Sequence, residues 1–177
     1  MAPTSRLGQQ LRELLAALEQ IDARSALIGG LALAPHNVIR ATRDVDLLAD
    51  ADRSDAIDRG LAAIGYRCMH RSQDAATYLR NDERVDFLFA SRPVARRLLE
   101  QATPRETPFG ALRVVGVEGL IAFKLQGFVN NPRRTQDLED IRSLIRANRT
   151  TVDENQLREY FRLFDRETML DEFLAEK

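Results

Sequence analysis

The sequence contains a single cysteine, carries almost no net charge and lacks any long hydrophobic run. Because Cys68 is the only cysteine, the chain cannot form an intrachain disulfide, which favours a reducing, cytoplasmic location. A formal net charge of -1 argues against a protein that binds nucleic acid mainly through its phosphates. No window approaches the ~20 apolar residues of a membrane span, and the N-terminus lacks the apolar core of a signal peptide. We therefore expect no association with a membrane.

The chain does have enough hydrophobic residues for a folded core. Of its 177 residues, 44% are hydrophobic and 30% are charged, a balance typical of a globular protein. Helical and strand-like patterns alternate up to about residue 116, and the pattern is helical afterwards. We therefore predict an α+β fold, with a mixed β-sheet core over residues 1–116. A helical segment over residues 117–177 is expected to pack on that core as part of one domain.

Local signals predict where several elements begin, turn or are buried. Ser54 is expected to cap a helix, and Thr151 is expected to open a capping box for a helix near the C-terminus. Asn81 and Asp82, between two strand-like runs, predict a β-hairpin. We interpret Cys68, in the strand-like run YRCMHR, as a small buried hydrophobe rather than a nucleophile.

Two aspartates stand in a segment that otherwise has the pattern of a buried strand. In DVDLLAD, one apolar residue separates Asp44 from Asp46, so both side chains project from one face of a strand. Adjacent carboxylates repel each other, and their burial is costly unless a cation neutralises them. A third acid, Asp86, occupies a second apolar strand, RVDFLFA. If the two strands are neighbours, the three carboxylates suit two divalent cations and an in-line phosphoryl or nucleotidyl transfer.

A pair of glycines before the acids strengthens this interpretation. Alone, D-x-D is weak evidence for a metal site, because aspartate also serves in caps and turns. Gly29 and Gly30 follow an apolar run and precede a helical turn, where backbone N–H groups can approach the phosphates of a nucleotide. A plain tight turn is the alternative. The sequence contains neither G-x-G-x-x-G nor G-K-[ST], which excludes the dinucleotide-binding fingerprint and the Walker A loop.

Polar residues between the glycines and the acids are candidates for supporting roles. Arg40 and Arg43 are suited to pair with phosphate or to offset the acids, although solvated surface arginines explain them equally well. Thr42 is expected to shape the turn into the strand. For His36 we favour a structural role over contact with a substrate.

A lysine and two further acids form a second candidate set. Lys124 lies in the largely apolar helical segment GLIAFKLQGF, where its ammonium must reach the surface or an anion. Asp137 and Asp140 share one face of the next helix and can pair with Lys124, Arg133 or Arg134. A structural salt-bridge network and a direct role in the site explain this set equally well.

Taken together, these motifs resemble the nucleotidyltransferase (polymerase β-like) superfamily over residues 25–145. LIGGLALAPHNVIRATRDVDLL is similar to its first motif, a Gly-Gly after a strand and D-x-D on the next strand, and RVDFLFA is similar to its third-acid motif. The longer series of GG-x-A, His, R-x-T and D-x-D-L resembles the minimal AbiEii-type branch, as does the lysine followed by a D-x-x-D-I helix. Asn37 stands where that branch often has glycine, and Gln136 stands where a lysine is common.

The resemblance implies roles for the residues singled out above. Asp44, Asp46 and Asp86 would hold two Mg²⁺ ions, with Mn²⁺ as an alternative, and Asp86 would serve as or orient the base that deprotonates the acceptor. The candidates for nucleotide binding are then Gly29, Gly30, Thr42, Arg43 and Lys124, and those for supporting roles are His36, Arg40, Asp137 and Asp140.

The leading hypothesis is an Mg²⁺-dependent nucleotidyltransferase that moves a nucleoside monophosphate from an NTP to a hydroxyl of an RNA end, a protein or a small molecule. In the AbiEii-type branch it would belong to a toxin–antitoxin system, with an antitoxin or HEPN-type partner. One alternative is an enzyme that modifies aminoglycosides or lincosamides. Another is a catalytically degenerate binding partner, against which the three retained acids argue.

Overall fold

The structure is a computed structural model that describes residues 5–176. Across these residues the chain forms seven β-strands and seven α-helices, which confirms the predicted α+β fold. The strands are β1 (Ser25–Leu27), β2 (Val45–Ala49), β3 (Arg67–Arg71), β4 (Ala75–Arg80), β5 (Glu83–Phe89), β6 (Thr103–Thr107) and β7 (Gly110–Val114). The helices are α1 (Arg6–Gln20), α2 (Ser54–Ala63), α3 (Pro93–Gln101), α4 (Val117–Asn130), α5 (Thr135–Ala147), α6 (Glu154–Arg162) and α7 (Glu167–Ala175).

The chain divides into two compact units. The first runs up to Leu31 and again from Ala41 to Val115, and it holds the sheet with α1, α2 and α3. The second consists of Ala32–Arg40 and the chain from Gly116 onward, and it holds α4 to α7. The expected organisation, one domain made of residues 1–116 and 117–177, stays a prediction.

The first unit is built around a mixed seven-stranded sheet with the order β3-β4-β5-β2-β1-β7-β6. β2 runs parallel to β5 and β1 runs parallel to β7, whereas the other neighbouring pairs are antiparallel. The predicted hairpin joins β4 to β5, and Asn81 adopts a positive φ of 55° in its turn. Asparagine accepts this left-handed conformation more readily than most residues do.

Alternation along β5 decides which side chains face the core of the first unit. Val85, Phe87 and Phe89 are buried, while the residues between them are partly exposed. Since successive side chains of a strand point to opposite faces, Asp86 lies on the face opposite the aromatic core. β2 follows the same rule at its start, where Val45 is fully buried and Asp46 is only half-buried.

The second unit buries the apolar faces of its four helices against one another. The rings of Phe161 of α6 and Phe173 of α7 meet edge-to-face, with centroids 6.4 Å apart. A short 3₁₀-helix, Ala34–His36, belongs to this unit and ends at Asn37, whose φ of 63° is left-handed. The buried helical side chains include Leu120, Ile121, Leu125, Ile141, Leu144, Leu157, Phe161, Leu170 and Phe173.

Two of the predicted helix caps are wrong. Ser54 makes no capping bond, because a 3₁₀ turn, Ala51–Arg53, leads directly into α2 and gives Ser54 helical backbone angles. At α6 the cap is Asp153, whose carboxylate accepts a hydrogen bond from the Gln156 N–H at 3.1 Å. The Thr151 hydroxyl instead donates to the Asn148 carbonyl, 3.2 Å away.

Cys68 is exposed, so its interpretation as a buried hydrophobe is wrong. β3 is the edge strand of the sheet and all its residues are exposed, which removes the buried face on which that interpretation depended. Asp44 is also misplaced by the sequence analysis, because β2 begins at Val45 and Asp44 lies just before it, exposed. Among the helices of residues 5–176, none has the length and hydrophobicity that would let it cross a membrane.

Replacing Phe87 tests the aromatic core on the face of the sheet opposite the acids. Its ring is 1% exposed, meets Tyr78 edge-to-face at 5.8 Å and stacks on Phe89 at 6.2 Å. We expect Phe87→Ala to lower the free energy of unfolding by about 3–5 kcal/mol, because it leaves a cavity in a packed interior. Urea unfolding measures the loss, with Met69→Ala, at a side chain 57% exposed on β3, as a control that should change little. Equal losses for the two variants would contradict this account of the core.

Candidate active site

The parallel pairing of β2 with β5 brings two of the three candidate acids together. Asp46 and Asp86 are register partners in this ladder, flanked by the pairs Val45–Val85 and Leu47–Phe87. Paired strands lie ~4.8 Å apart and paired residues share a face, so the two carboxylates project side by side. Both side chains are half-buried.

Asp86 is held by two neighbours on the same face of the sheet. The Arg84 guanidinium donates a hydrogen bond to each carboxylate oxygen, with Nε 2.7 Å from Oδ2 and Nη2 3.1 Å from Oδ1. The Thr77 hydroxyl, from the register partner of Asp86 on β4, donates to Oδ1 at 2.5 Å. A bidentate bond and a hydroxyl donor leave the carboxylate little freedom to rotate.

All three candidate acids affect the pKa of the Arg84 guanidinium. Its pKa is raised chiefly by the hydrogen bond to Asp86 and also by the negative charges of Asp86, Asp44 and Asp46, although burial acts in the opposite direction. Asp44 precedes the first pair of the β2–β5 ladder by one residue, which sets it at the level of Arg84. The structure therefore brings Asp46, Asp86 and Arg84 together, and Asp44 acts on the same arginine through its charge.

Sequence reasoning missed Arg84 as a member of this group. The available signal was the spacing R-x-D on β5, which puts an arginine on the same face as an acid of the candidate site. That signal is weak alone, because exposed strand arginines are common. Only the strand pairing shows that Arg84 also faces the acids of the D-x-D motif.

Gly29 lets the chain pass directly against Asp46. The Ile28 N–H donates to the Asp46 carbonyl at 3.1 Å, and Gly29 follows with a φ of 64°. A Cβ at Gly29 would overlap the carboxylate of Asp46 and lie 2.6 Å from its Cβ. Gly29 is therefore required both by its left-handed backbone and by the space that Asp46 occupies, while Gly30 is buried beside it.

The acids present fit a magnesium ion that arrives with a nucleotide. Within residues 5–176, no group of three or more His, Cys, Asp or Glu side chains is arranged to hold a metal ion. Asp46 and Asp86 nevertheless provide two adjacent carboxylates, which is what Mg²⁺ takes when substrate phosphates complete its coordination shell. Thr42 and Arg43 lie beside Asp44 in the irregular segment before β2, half-buried and exposed respectively.

The second unit contains the set formed by Lys124, Asp137 and Asp140, for which the sequence did not decide between a structural and a direct role. Lys124 is 5% exposed, and its Nζ lies 2.6 Å from Oδ2 of Asp140 and 3.5 Å from Oδ1 of Asp137. Arg134 Nε binds the other oxygen of Asp137 at 2.6 Å, and Arg40 Nε lies 3.1 Å from Asp140. The structure thus shows a buried ion-pair network, while contact between Lys124 and a nucleotide stays a prediction.

Hydrogen bonds attach the segment around His36 to α5. Asn148 donates from its buried amide to the His36 carbonyl at 2.8 Å and to the Leu144 carbonyl at 2.9 Å. The Asn37 amide donates to Asn148 Oδ1 at 3.3 Å. His36 itself is buried, which agrees with a structural role, and Arg40 is attached to the same helix through Asp140.

Comparison with known proteins supports the interpretation that these features suggest. Residues 10–90 match the family model of aminoglycoside-2''-adenylyltransferase. The solution structure of the antibiotic-resistance factor ANT(2'')-Ia is similar to the chain, with a TM-score of 0.68 and 18% identity over 96% of this chain and 97% of that one. The crystal structure of ANT(2'')-Ia in complex with adenylyl-2''-tobramycin has a TM-score of 0.69 and 16% identity, over 91% and 98% of the two chains.

A lincosamide enzyme has the same fold. The lincomycin-bound crystal structure of the lincosamide antibiotic adenylyltransferase LnuA has a TM-score of 0.58 and 16% identity, over 77% of this chain and 94% of that one. No curated protein is significantly similar in sequence. The chain therefore has a nucleotidyltransferase fold, and the comparisons support a nucleotidyltransferase. The AbiEii-type branch stays a prediction.

Gly29→Ala tests the contact between the glycine turn and Asp46. A left-handed backbone alone costs an alanine about 1–2 kcal/mol, and the overlap with Asp46 should add to that loss. Gly110→Ala is the matched control, because Gly110 has a φ of 105° and no described atom lies within 4 Å of its Cβ position. Urea unfolding should show the larger loss for Gly29→Ala, and adding Asp46→Ala should recover part of it. Identical losses at the two glycines would contradict the contact.

Lys124→Met tests the buried ion-pair network. Removing the lysine leaves two buried carboxylates without their shared cation, so we expect a loss of about 3–5 kcal/mol in the free energy of unfolding. Replacing both acids as well, by Asp137→Asn and Asp140→Asn, should recover much of that loss. Arg162→Met, at an exposed ion pair with Glu167, is the control and should cost less than about 1 kcal/mol in urea unfolding. A Lys124→Met loss no larger than that of the control would show that the network contributes little.

Proposed function

We propose that the chain is an Mg²⁺-dependent nucleotidyltransferase that moves a nucleoside monophosphate from an NTP to a hydroxyl of a small molecule. The observation that carries the proposal is the register pair Asp46–Asp86, set against the left-handed turn at Gly29. Two adjacent carboxylates beside this turn suit a metal-bound triphosphate. The nucleotidyltransferase fold agrees with this chemistry.

In this proposal each residue has a definite task. Asp46 and Asp86, with Asp44, would hold Mg²⁺, with Mn²⁺ as an alternative, and such ions would supply positive charge against the triphosphate and a lower pKa for the acceptor hydroxyl. Asp86 takes the proton of that hydroxyl, whose oxygen forms a bond to the α-phosphorus. The bond from the α-phosphorus to the oxygen that bridges to the β-phosphate breaks, and pyrophosphate leaves with the electron pair. Gly29 leaves room for the Asp46 carboxylate, and the backbone N–H groups of the Gly29–Gly30 turn are the proposed contacts of the phosphates.

A small-molecule acceptor has the best support. The relatives with the higher TM-scores act on antibiotics according to their names, since one is bound to adenylyl-2''-tobramycin and another to lincomycin. An RNA end or a protein side chain, the toxin–antitoxin role and an antitoxin or HEPN-type partner lack comparable support. A cytoplasmic location fits an enzyme that uses NTPs.

A second candidate is a catalytically degenerate protein that binds a nucleotide or a partner without transfer. The observation that favours it is the Arg84–Asp86 pair, because a guanidinium already neutralises the acid that should act as base. A working enzyme must share Asp86 between Arg84 and a metal-bound nucleotide. A degenerate binder has no such need.

Nucleotide transfer separates the two candidates. Purified protein is incubated with Mg²⁺, labelled NTPs and acceptors that include tobramycin, lincomycin, total RNA and protein. We expect label transfer that EDTA abolishes and that falls by about a hundredfold or more in Asp86→Asn, which cannot accept the proton. Asp46→Asn should also lose transfer, through weaker Mg²⁺–NTP binding. Asp52→Asn, the same change in an exposed turn, is the control and should leave transfer unchanged.

The outcomes assign the function. Transfer that is lost in both site variants supports the enzyme and identifies its acceptor. NTP binding without transfer to any acceptor favours the degenerate binder. If neither NTP binding nor transfer is detected, the enzyme is ruled out, and a degenerate protein that binds a partner is the better account.

A further inference from the structure

A permanent positive charge stands beside the proposed base. The Arg84 guanidinium binds both oxygens of Asp86, yet its side chain is 51% exposed. Two of its five N–H groups point to Asp86 among the contacts of residues 5–176, so the remaining ones face outward from the acid. An arginine stays charged at any pH at which the enzyme works.

The acceptor must come close to this charge. In the proposed function, its hydroxyl gives a proton to Asp86, so any group next to that hydroxyl lies near the guanidinium. A neighbouring ammonium group would be repelled, because like charges at short range in a partly desolvated site destabilise each other. A neighbouring phosphate or carboxylate would be bound by charge-assisted hydrogen bonds in the fork geometry of arginine.

We propose that Arg84 selects a hydroxyl acceptor that carries a phosphate or carboxylate near the reacting hydroxyl, and that it disfavours polycationic acceptors such as aminoglycosides. This inference rests on the proposed function and adds the charge class of the acceptor. The family match over residues 10–90 includes Arg84. It does not decide this point, because such a match does not depend on the charge of any one side chain.

The chemical step is the same for either class of acceptor. The acceptor oxygen bonds to the α-phosphorus, pyrophosphate leaves with the electrons of the broken bond, and Asp86 receives the proton. Arg84 takes no proton and forms no covalent bond. Its role is to bind the anionic group and so to orient the hydroxyl, which makes it a specificity-determining residue.

The test uses acceptors that differ in charge on one sugar scaffold. Transfer from labelled ATP with Mg²⁺ is measured for glucose, glucosamine and glucose 6-phosphate, with ribose 5-phosphate and tobramycin alongside. We expect wild-type transfer to a phosphate-bearing sugar to exceed transfer to glucose by about tenfold or more, which is what a charged hydrogen bond contributes. Glucosamine and tobramycin should be poorer acceptors than glucose.

Three variants isolate the charge of Arg84. Arg84→Gln should bring the ratio between phosphate-bearing and neutral sugars close to one, and Arg84→Lys should keep most of the preference. Arg92→Gln removes an arginine that is 75% exposed and paired with Asp74, and it should leave the ratio unchanged. Binding of glucose 6-phosphate to the nucleotide-free protein, followed by ligand-observed NMR, should weaken in Arg84→Gln without any turnover.

Several outcomes would overturn the inference. One is faster wild-type transfer to tobramycin than to any phosphate-bearing sugar, and another is an unchanged acceptor ratio in Arg84→Gln. A variant that alters only the Mg²⁺ dependence would show that Arg84 is merely a counter-ion of the acids. ATP cleavage to AMP and pyrophosphate without transfer to any anionic acceptor also overturns it. Absence of ATP cleavage itself would contradict the proposed function instead.

Discussion

The parallel register between β2 and β5 is the constraint on which the rest of the candidate site depends. It pairs Asp46 with Asp86 and, by the same alternation, buries Val85 and Phe87 on the other face. A slip of one residue would turn an aromatic ring toward solvent and an acid into the core, at a large cost in free energy. Hydrophobic burial therefore holds the two carboxylates together, although they repel each other in the absence of a cation. The core and the site cannot be varied independently along these strands.

The secondary-structure elements and the candidate acids could be predicted from the sequence, but the pairing of the strands that brings the acids together could not. Apolar strand patterns around Asp46 and Asp86 and the glycine turn at Gly29 are local signals, and each lies where the sequence predicts it. The adjacency of the two strands is a pairing between segments about forty residues apart, so it was conditional until the register was known. Arg84 was missed for the same reason. Its place beside the acids depends on which residues face it across the ladder, and no local pattern contains that information.

Where sequence reasoning was wrong, a local rule met a competing interaction. The alternation rule presumes that a strand has one buried face, and β3, at the edge of the sheet, has none, which explains the exposed Cys68. A serine caps a helix well when its own backbone is extended. The 3₁₀ turn before α2 gives Ser54 helical backbone angles, so it does not act as the cap. Thr151 does not cap α6, because its hydroxyl donates to the Asn148 carbonyl, and the carboxylate of Asp153 caps the helix instead. Such errors shift boundaries and burial without changing the fold.

The two units handle carboxylates in opposite ways, and this contrast bears on where chemistry can occur. In the second unit, Asp137 and Asp140 are almost fully buried and share three cations, so the network is satisfied internally. In the first unit, Asp86 pairs with Arg84, whose side chain is half-exposed, and the charges of Asp44 and Asp46 act on the same arginine. A group with more negative than positive charge attracts a further cation, whereas a satisfied buried network has nothing to gain from one. The proposed function therefore puts the metal and the nucleotide at the acid face of the sheet, and the buried lysine network supports the helices around it in that proposal.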